Sequence, residues 1–382
     1  VFIVCLVIYL FSGEWKEKVG YSKNIKFILS FCMILVAFAL TSIFWSVDSQ
    51  YSVLAGVRAM QSFILFLLYI RFKPKVSELT GILGISSLLQ VTLTLQQFFL
   101  QKVYANKWVG IAAQNPADLG VSVLEFSDQR WLRAYGSFQH PNILAGFFGL
   151  VLLITTYNLL KNNDIQFFSF TVSKRYTDLF QLIVILLSSL GLVLTFSRAA
   201  WMTVAIGLSV LMIASFFKMK EKLMKVLLIY TVAVLASFAL FGEHIIFRIQ
   251  GDGQLQMNSY SDRAALIDQA EVLSEQIGFY GLGVGSYIPE VSTLQTGDYI
   301  QPVHNIWLLL YIEFGLIGVF AMILCLFIGF DLFTSLIQKK SEANLLSLVI
   351  FITIATLFYF DHFWYTLRPG QIMIVLIGYL II

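Results

Sequence analysis

The sequence predicts an all-α protein, a polytopic bundle of about 11 membrane-spanning helices with a large outward-facing loop that contains short helices. Three observations predict it. Apolar residues make up 58% of the chain and charged residues 12%, about half the usual share of roughly 25% in soluble domains. The charges fall in short clusters. Between the clusters lie apolar runs close to the roughly 20 residues that cross a bilayer.

Those runs place spans at 1–12, 27–47, 53–72, 79–100, 143–160, 179–196, 199–217, 226–242, 305–330, 346–360 and 369–382. The sixth and seventh are parted only by a tight turn at Ser197-Arg198. Val1 stands where Met is expected, and Val1–Phe11 reads as the second half of a hydrophobic helix. The chain is therefore expected to lack its true start, and its want of a signal peptide carries no meaning. No internal repeat and no Pro/Ser-rich linker divides it, so residues 1–382 read as a single membrane domain.

Cys5, Cys32 and Cys325 all lie in apolar runs, where they act as small hydrophobes and offer no loop disulfide or thiolate metal site.

The net charge of +3 says little, but its distribution orients the bundle. One alternate set of loops holds 16 Lys and Arg, and the other holds 8. The richer set, which includes Lys218-Met219-Lys220-Glu221-Lys222, is assigned to the cytoplasm, against anionic lipid headgroups. The loops 101–140 and 243–303 then face outward, with His140, His244, His304 and His362. A transporter more often places its polar groups at the bilayer midplane.

The first outer loop ends in Arg130-Trp131-Leu132-Arg133-Ala134-Tyr135-Gly136-Ser137-Phe138-Gln139-His140-Pro141-Asn142. Pro141 suits a helix start, with Asn142 following into the span. His140 reads either as a structural group at that helix start or as an aid to proton transfer. Arg133 can hold a polyanion, while Trp131, Tyr135 and Phe138 equally suit an interface belt.

Arg198 is the sole charge between two apolar runs. It reads as an arginine snorkelling to lipid phosphate beside Trp201, or as a ligand for a substrate phosphate. Arg263, in Ser261-Asp262-Arg263-Ala264, is predicted in the first turn of a helix capped by Ser261. Leu266, Ala270, Leu273 and Ile277 recur along it at helical spacing. A cation opposes the macrodipole there, so either Asp262 neutralises it or it shares an anion with the free N–H groups. Next comes Gly278-Phe279-Tyr280-Gly281-Leu282-Gly283-Val284-Gly285-Ser286. No parallel-sheet strand precedes this turn, so it is no dinucleotide fingerprint.

The last stretch runs His304-Asn305-Ile306-Trp307-Leu308-Leu309-Leu310-Tyr311-Ile312-Glu313-Phe314-Gly315-Leu316-Ile317-Gly318. A histidine and an amide stand at the mouth of an expected helix, with a glycine pair deeper in it. Glu313, nine residues from His304, falls on the opposite helix face and reads as an intrabundle partner. His244 and His362 lack supporting spacing, and no His-x-x-x-His pair exists, so no catalytic metal is expected.

His-Asn, nine residues, Gly, two residues, Gly resembles the signature of the O-antigen ligases, in the superfamily of bacterial membrane glycosyltransferases that also holds the O-antigen polymerases. Arg-x-x-Gly-Ser-Phe-x-x-Pro-Asn at 133–142, Ser-Arg-Ala-Ala-Trp at 197–201 and the loop-helix arginine at 263 are similar to that superfamily in the same order. Relatives commonly introduce the glycine turn with proline, where this chain has Phe279-Tyr280. The resemblance implies transfer of a glycan from a polyprenyl diphosphate carrier to a hydroxyl of a glycan or lipid-glycan acceptor. It implies this at the outer face of the cytoplasmic membrane, as in lipopolysaccharide assembly, by inversion, with no cofactor, metal or nucleic acid. His304 would be the general base, with Arg198 and Arg263 stabilising the leaving diphosphate. Arg133, His140, Asn142 and Asn305 would bind substrate. Two alternatives stand: a lipid-linked polysaccharide polymerase (O-antigen, capsule, exopolysaccharide or teichuronic acid) and, of another class, a polysaccharide flippase.

Overall fold

The computed structural model describes residues 21–382, apart from 109, 127–128, 168–169, 217–218, 252–253, 295–299 and 339–343. The expected span at 1–12 lies outside them. Among the described residues, eight helices are long and apolar enough to cross a membrane. They are α1 (Lys23–Thr41, extended by a 3-10 turn to Phe44), α2 (Ser49–Phe72), α3 (Val76–Leu100), α4 (Pro141–Lys161), α5 (Lys174–Leu194), α6 (Arg198–Ser215), α7 (Lys220–Gln250) and, later in the chain, α11 (Leu316–Ile337). Two shorter apolar helices, α12 (Asn344–Phe360) and α14 (Arg368–Ile381), coincide with the last two predicted spans. The protein is an all-α, multi-pass membrane protein. Its described strands are two small hairpins, β1–β2 (Val123–Phe126 with Gln129–Leu132) and β3–β4 (Gln166–Phe167 with Phe170–Thr171).

The bundle is built around α4, which carries no charge before Lys161 and is buried along its length. Pro141 opens it and His140 caps it, as the sequence predicts of that proline. α3, α5 and α6 pack around it. Small residues permit this close approach. A Cβ on Gly149 would lie 2.5 Å from the Val204 side chain of α6, and Trp364 lies flat against Gly146. Trp364 belongs to the four-residue α13 (Phe363–Thr366) and is fully buried. The segment joining α12 to α14 is thereby pinned to the top of α4.

The loop 101–140 is ordered by two glutamines two turns apart on α3. Gln97 accepts the backbone N–H groups of Tyr135 and Gly136 and donates to the Gly136 carbonyl, while Gln90 accepts the Ser137 N–H and donates to the Ser137 hydroxyl. The Gly136-Ser137-Phe138 turn is thus clamped onto a helix. The Ala134 N–H, 3.2 Å from the Leu194 carbonyl, ties it to the end of α5.

Three expectations are corrected. The run 305–330 is not one helix: α10 (Ile306–Phe314) stops at Gly315, where α11 begins. Gly315 has φ 58°, ψ −134°, a conformation that a side chain opposes. The break is closed by the glycine turn: Leu282 and Gly283 donate to the Ile312 and Glu313 carbonyls, and Leu316 donates back to Phe279. A Cβ on Gly315 would sit 2.3 Å from the Phe279 carbonyl oxygen, and one on Gly318 would sit 2.2 Å from that of Leu310. The glycine pair of the motif therefore serves chain packing. Glu313 is indeed an intrabundle partner, accepting from the Tyr287 N–H and the Tyr365 hydroxyl.

The second correction concerns the eighth span, which runs on as helix through a kink at Phe241 to Gln250, beyond the predicted end at 242. The third concerns Ser261, which lies inside a helix and does not begin it. The loop helix α8 spans Gln254–Gln276, so Arg263 lies in its third turn, and the first-turn argument for an anion at Arg263 fails. The helical spacing beyond it holds. Leu266, Ala270 and Leu273 are buried, and the last two pack with Tyr287 of α9 (Tyr287–Leu294) and with Leu309 and Ile312 of α10.

Candidate active site

Four arginines and three histidines gather around the N-terminal ends of α4, α6 and α10, the C-terminal end of α7 and the third turn of α8. The tight turn between α5 and α6 presents the first. Phe196 adopts φ 49° and is fully buried. Its carbonyl accepts from the Arg248 Nε of α7 at 3.0 Å. Arg198 is the first residue of α6, half-buried, with its guanidinium 5.1 Å from the Tyr260 ring centroid. Here, and not at Arg263, a cation stands at a helix N-terminus, where positive partial charge makes an anion welcome. Arg133 and Arg248 repel each other, and each is repelled by Arg198 and Arg263. Sequence reading missed Arg248. It counted only as one of the few basic residues in an outer loop, because the loop's helical start was unseen.

Arg133 is buried. Its Nε donates to the Thr195 carbonyl at 2.8 Å, and one terminal nitrogen donates to Asn142 Oδ1 at 2.6 Å. Asn142 in turn donates to Asp361 Oδ2 at 2.5 Å, and Asp361 Oδ1 accepts the Phe363 N–H. Burial lowers Arg133 to about 10 and raises Asp361, the latter against the pull of the Phe363 N–H and Asn142. This relay makes Asp361 the buried carboxylate facing the arginines, and sequence reading passed over it. A lone aspartate between two spans gives no signal until Asn142 is brought beside it.

His140 is engaged at both ring nitrogens. Nδ1 accepts the Asn142 N–H at 3.1 Å, so Nε2–H faces Ser122 Oγ at 2.9 Å. It caps α4. Asn305 caps α10 in the same fashion, accepting the Leu308 N–H. His304 precedes that cap and is half-buried, so its side chain follows the loop and not the helix face. Its ring centroid lies 4.8 Å from that of His362, with planes at 85°. Phe363 stacks between this pair and His140.

Burial, and then Arg263, drive His304 down to about 4. Burial leads likewise for His362 and His140, reinforced by neighbouring cations. All three imidazoles are therefore neutral at pH 7. A neutral imidazole can accept a proton, and the surrounding guanidinium groups can hold an anion. No group of three or more potential metal-ligating side chains occurs among the described residues.

A cavity of about 670 Å³ runs between α1, α2, α10, α11, α12 and α14, with a wall almost wholly apolar, and reaches the cluster through Thr366, which bonds His362. Phe31, Leu54, Phe66, Trp307 and Leu324 line it, together with Tyr365 and Thr366.

A comparison with curated proteins returns no match. Residues 183–323 match the model of a family described as O-antigen ligase. That segment holds Arg198, Arg248, Arg263 and His304, whereas Arg133, Asn142, Asp361 and His362 are joined to it only by the fold. Over those residues the chain is similar to the O-antigen ligase family.

Proposed function

We propose that the protein transfers a glycan from a polyprenyl diphosphate carrier to a hydroxyl of a glycan or lipid-glycan acceptor, at the outer face of the cytoplasmic membrane. The observation that carries this reading is the juxtaposition of neutral His304 with Arg198, Arg248 and Arg263 beside an apolar cavity. The carrier tail would occupy the cavity and its diphosphate would meet the guanidinium groups. His304 would take the acceptor proton as the acceptor oxygen attacks the anomeric carbon. The bond to the phosphate oxygen breaks with its electron pair leaving on the lipid diphosphate, where Arg198 and Arg263 stabilise the developing charge. A single displacement of this kind inverts the anomeric carbon. Arg133, His140, Asn142 and Asn305 frame the same site, and their contacts support a positioning role as much as direct substrate binding.

Purified protein in lipid should join such a donor to an acceptor without nucleotide, and chelation of divalent ions should leave the rate unchanged. Loss of transfer on chelation would contradict a metal-independent site. The outward face is tested separately. On intact cells, an impermeant thiol reagent should label Gln254→Cys and not Lys220→Cys, and the reverse pattern would place the cluster on the wrong side of the membrane for this reaction.

A further inference from the structure

Arg58 of α2 lines the apolar cavity, and its guanidinium makes no hydrogen bond or ion pair among the described residues. A second cation adjoins it. Arg368, the first residue of α14, donates through one terminal nitrogen to the Arg58 carbonyl at 3.3 Å, to Ser62 Oγ at 3.0 Å and to Gln371 Oε1 at 3.3 Å. Its Nε and its other terminal nitrogen have no partner among the described residues. Arg58 repels Arg368, and Glu313 in the same wall is already taken by the Tyr287 N–H and the Tyr365 hydroxyl. Two like charges against an apolar wall within a membrane bundle are costly until an anion joins them.

This pair is separate from the arginine cluster. The charge that acts on Arg368 is Arg58, whereas the cluster arginines act on one another. A polar strip nevertheless joins the two places across the cavity wall, where Arg58, Ser62, Gln371 and Thr366 all stand. Gln371 Nε2 donates to the Tyr365 carbonyl at 2.7 Å, and the Tyr365 N–H donates to the His362 carbonyl. Thr366 Oγ1 then lies 2.8 Å from His362 Nδ1.

We propose that Arg58 and Arg368 form a docking site for the phosphate end of the polyprenyl carrier, distinct from the site of transfer. The carrier is held there with its tail in the cavity, before its diphosphate advances along Ser62, Gln371 and Thr366 to Arg198 and Arg263. The spent carrier leaves by the same strip. This rests on the transferase reading above. Two guanidinium groups match a diphosphate in charge and in hydrogen-bonding geometry. A tail alone would leave Arg58 unpaired, and a free phosphate would shed its water with no apolar burial in return. Continuity of the strip with His362 favours the carrier over a resident phospholipid.

The probe is a polyprenyl monophosphate without glycan, added to purified protein in nanodiscs of zwitterionic lipid. Arg58→Gln and Arg368→Gln should each weaken its binding about tenfold, the scale of one lost charge-assisted contact. Arg58→Lys, which keeps the charge, should recover part of the affinity. In the transfer assay Arg58→Gln should raise the donor KM by a similar factor and keep kcat at saturating donor, whereas Arg198→Lys lowers kcat. The Arg58 guanidinium has no partner to lose, so this variant decides if Arg368→Gln fails to insert. Parental probe affinity and parental donor KM in Arg58→Gln would overturn the proposal. So would displacement of the probe from the parent protein by an equal concentration of phosphatidylglycerol, or a fall in kcat that places Arg58 at the transfer site. Each of these results leaves transfer by the parent protein intact. Absence of that transfer, with Arg58-dependent binding of the probe retained, would instead remove the transferase reading and keep the phosphate site.

Discussion

Replacing His304 with glutamine should cut turnover roughly 100- to 10,000-fold while the lipid-diphosphate donor still binds, since a general base contributes on that scale and the anion-holding groups remain. His304→Ala should do the same. Asn305→Ala should be milder, because that side chain caps α10 and a lost cap costs about 1 kcal/mol. The parent protein should show an acid limb with a defined sign. His304 is held near 4 by burial and by Arg263. Activity that needs the neutral ring is therefore complete at neutral pH and falls only as pH drops through that value, well below the ordinary histidine range. A bound diphosphate favours the imidazolium, so the limb of kcat should lie at higher pH than that of kcat/KM. An unchanged turnover in His304→Gln, at matched expression and donor binding, would remove this histidine from the chemistry.

Arg198→Lys and Arg263→Lys should each lose most activity, on the order of 100-fold, while inserting and folding normally. A guanidinium grips a diphosphate through a planar fork that an ammonium cannot copy. Both side chains are half-buried and share their surroundings with Arg133 and Arg248. With four like charges and Asp361 opposite them, a diphosphate relieves repulsion that the empty site sustains. Near-parental turnover in both variants would reduce these arginines to lipid anchors, the simpler reading of Arg198 in the sequence.

Much of this architecture was legible in the sequence because its signals are local. Apolar runs of bilayer length placed the spans, and Pro141 marked the start of the central helix. What the sequence hid depends on contacts between distant segments. The break at Gly315 is set by the glycine turn thirty residues earlier, whose N–H groups take the carbonyls that α10 leaves free. The early start of α8 escapes sequence reading because its opening residues, Gln254-Leu255-Gln256-Met257-Asn258-Ser259, are mostly polar and show no apolar period, and Ser261 resembles a cap. Among the site residues, Arg198, Arg263, His304 and Arg133 were named from motifs, and the fold brings them together. Arg248, Asp361 and His362 carried no motif. Their place beside the other site residues appears only once α7 reaches the α5–α6 turn and Trp364 packs α13 against Gly146.

The central claim is that this cluster performs an inverting transfer from a lipid-diphosphate donor, and the anomeric configuration of the new linkage tests it most directly. Purified protein in vesicles would be given a polyprenyl diphosphate glycan of known configuration and an acceptor, and the product linkage read by NMR. The expected product is a glycosylated acceptor with the configuration inverted, with one lipid diphosphate released for each linkage formed. Donor recovered intact on the opposite side of the bilayer, or a product with the configuration retained, would contradict it.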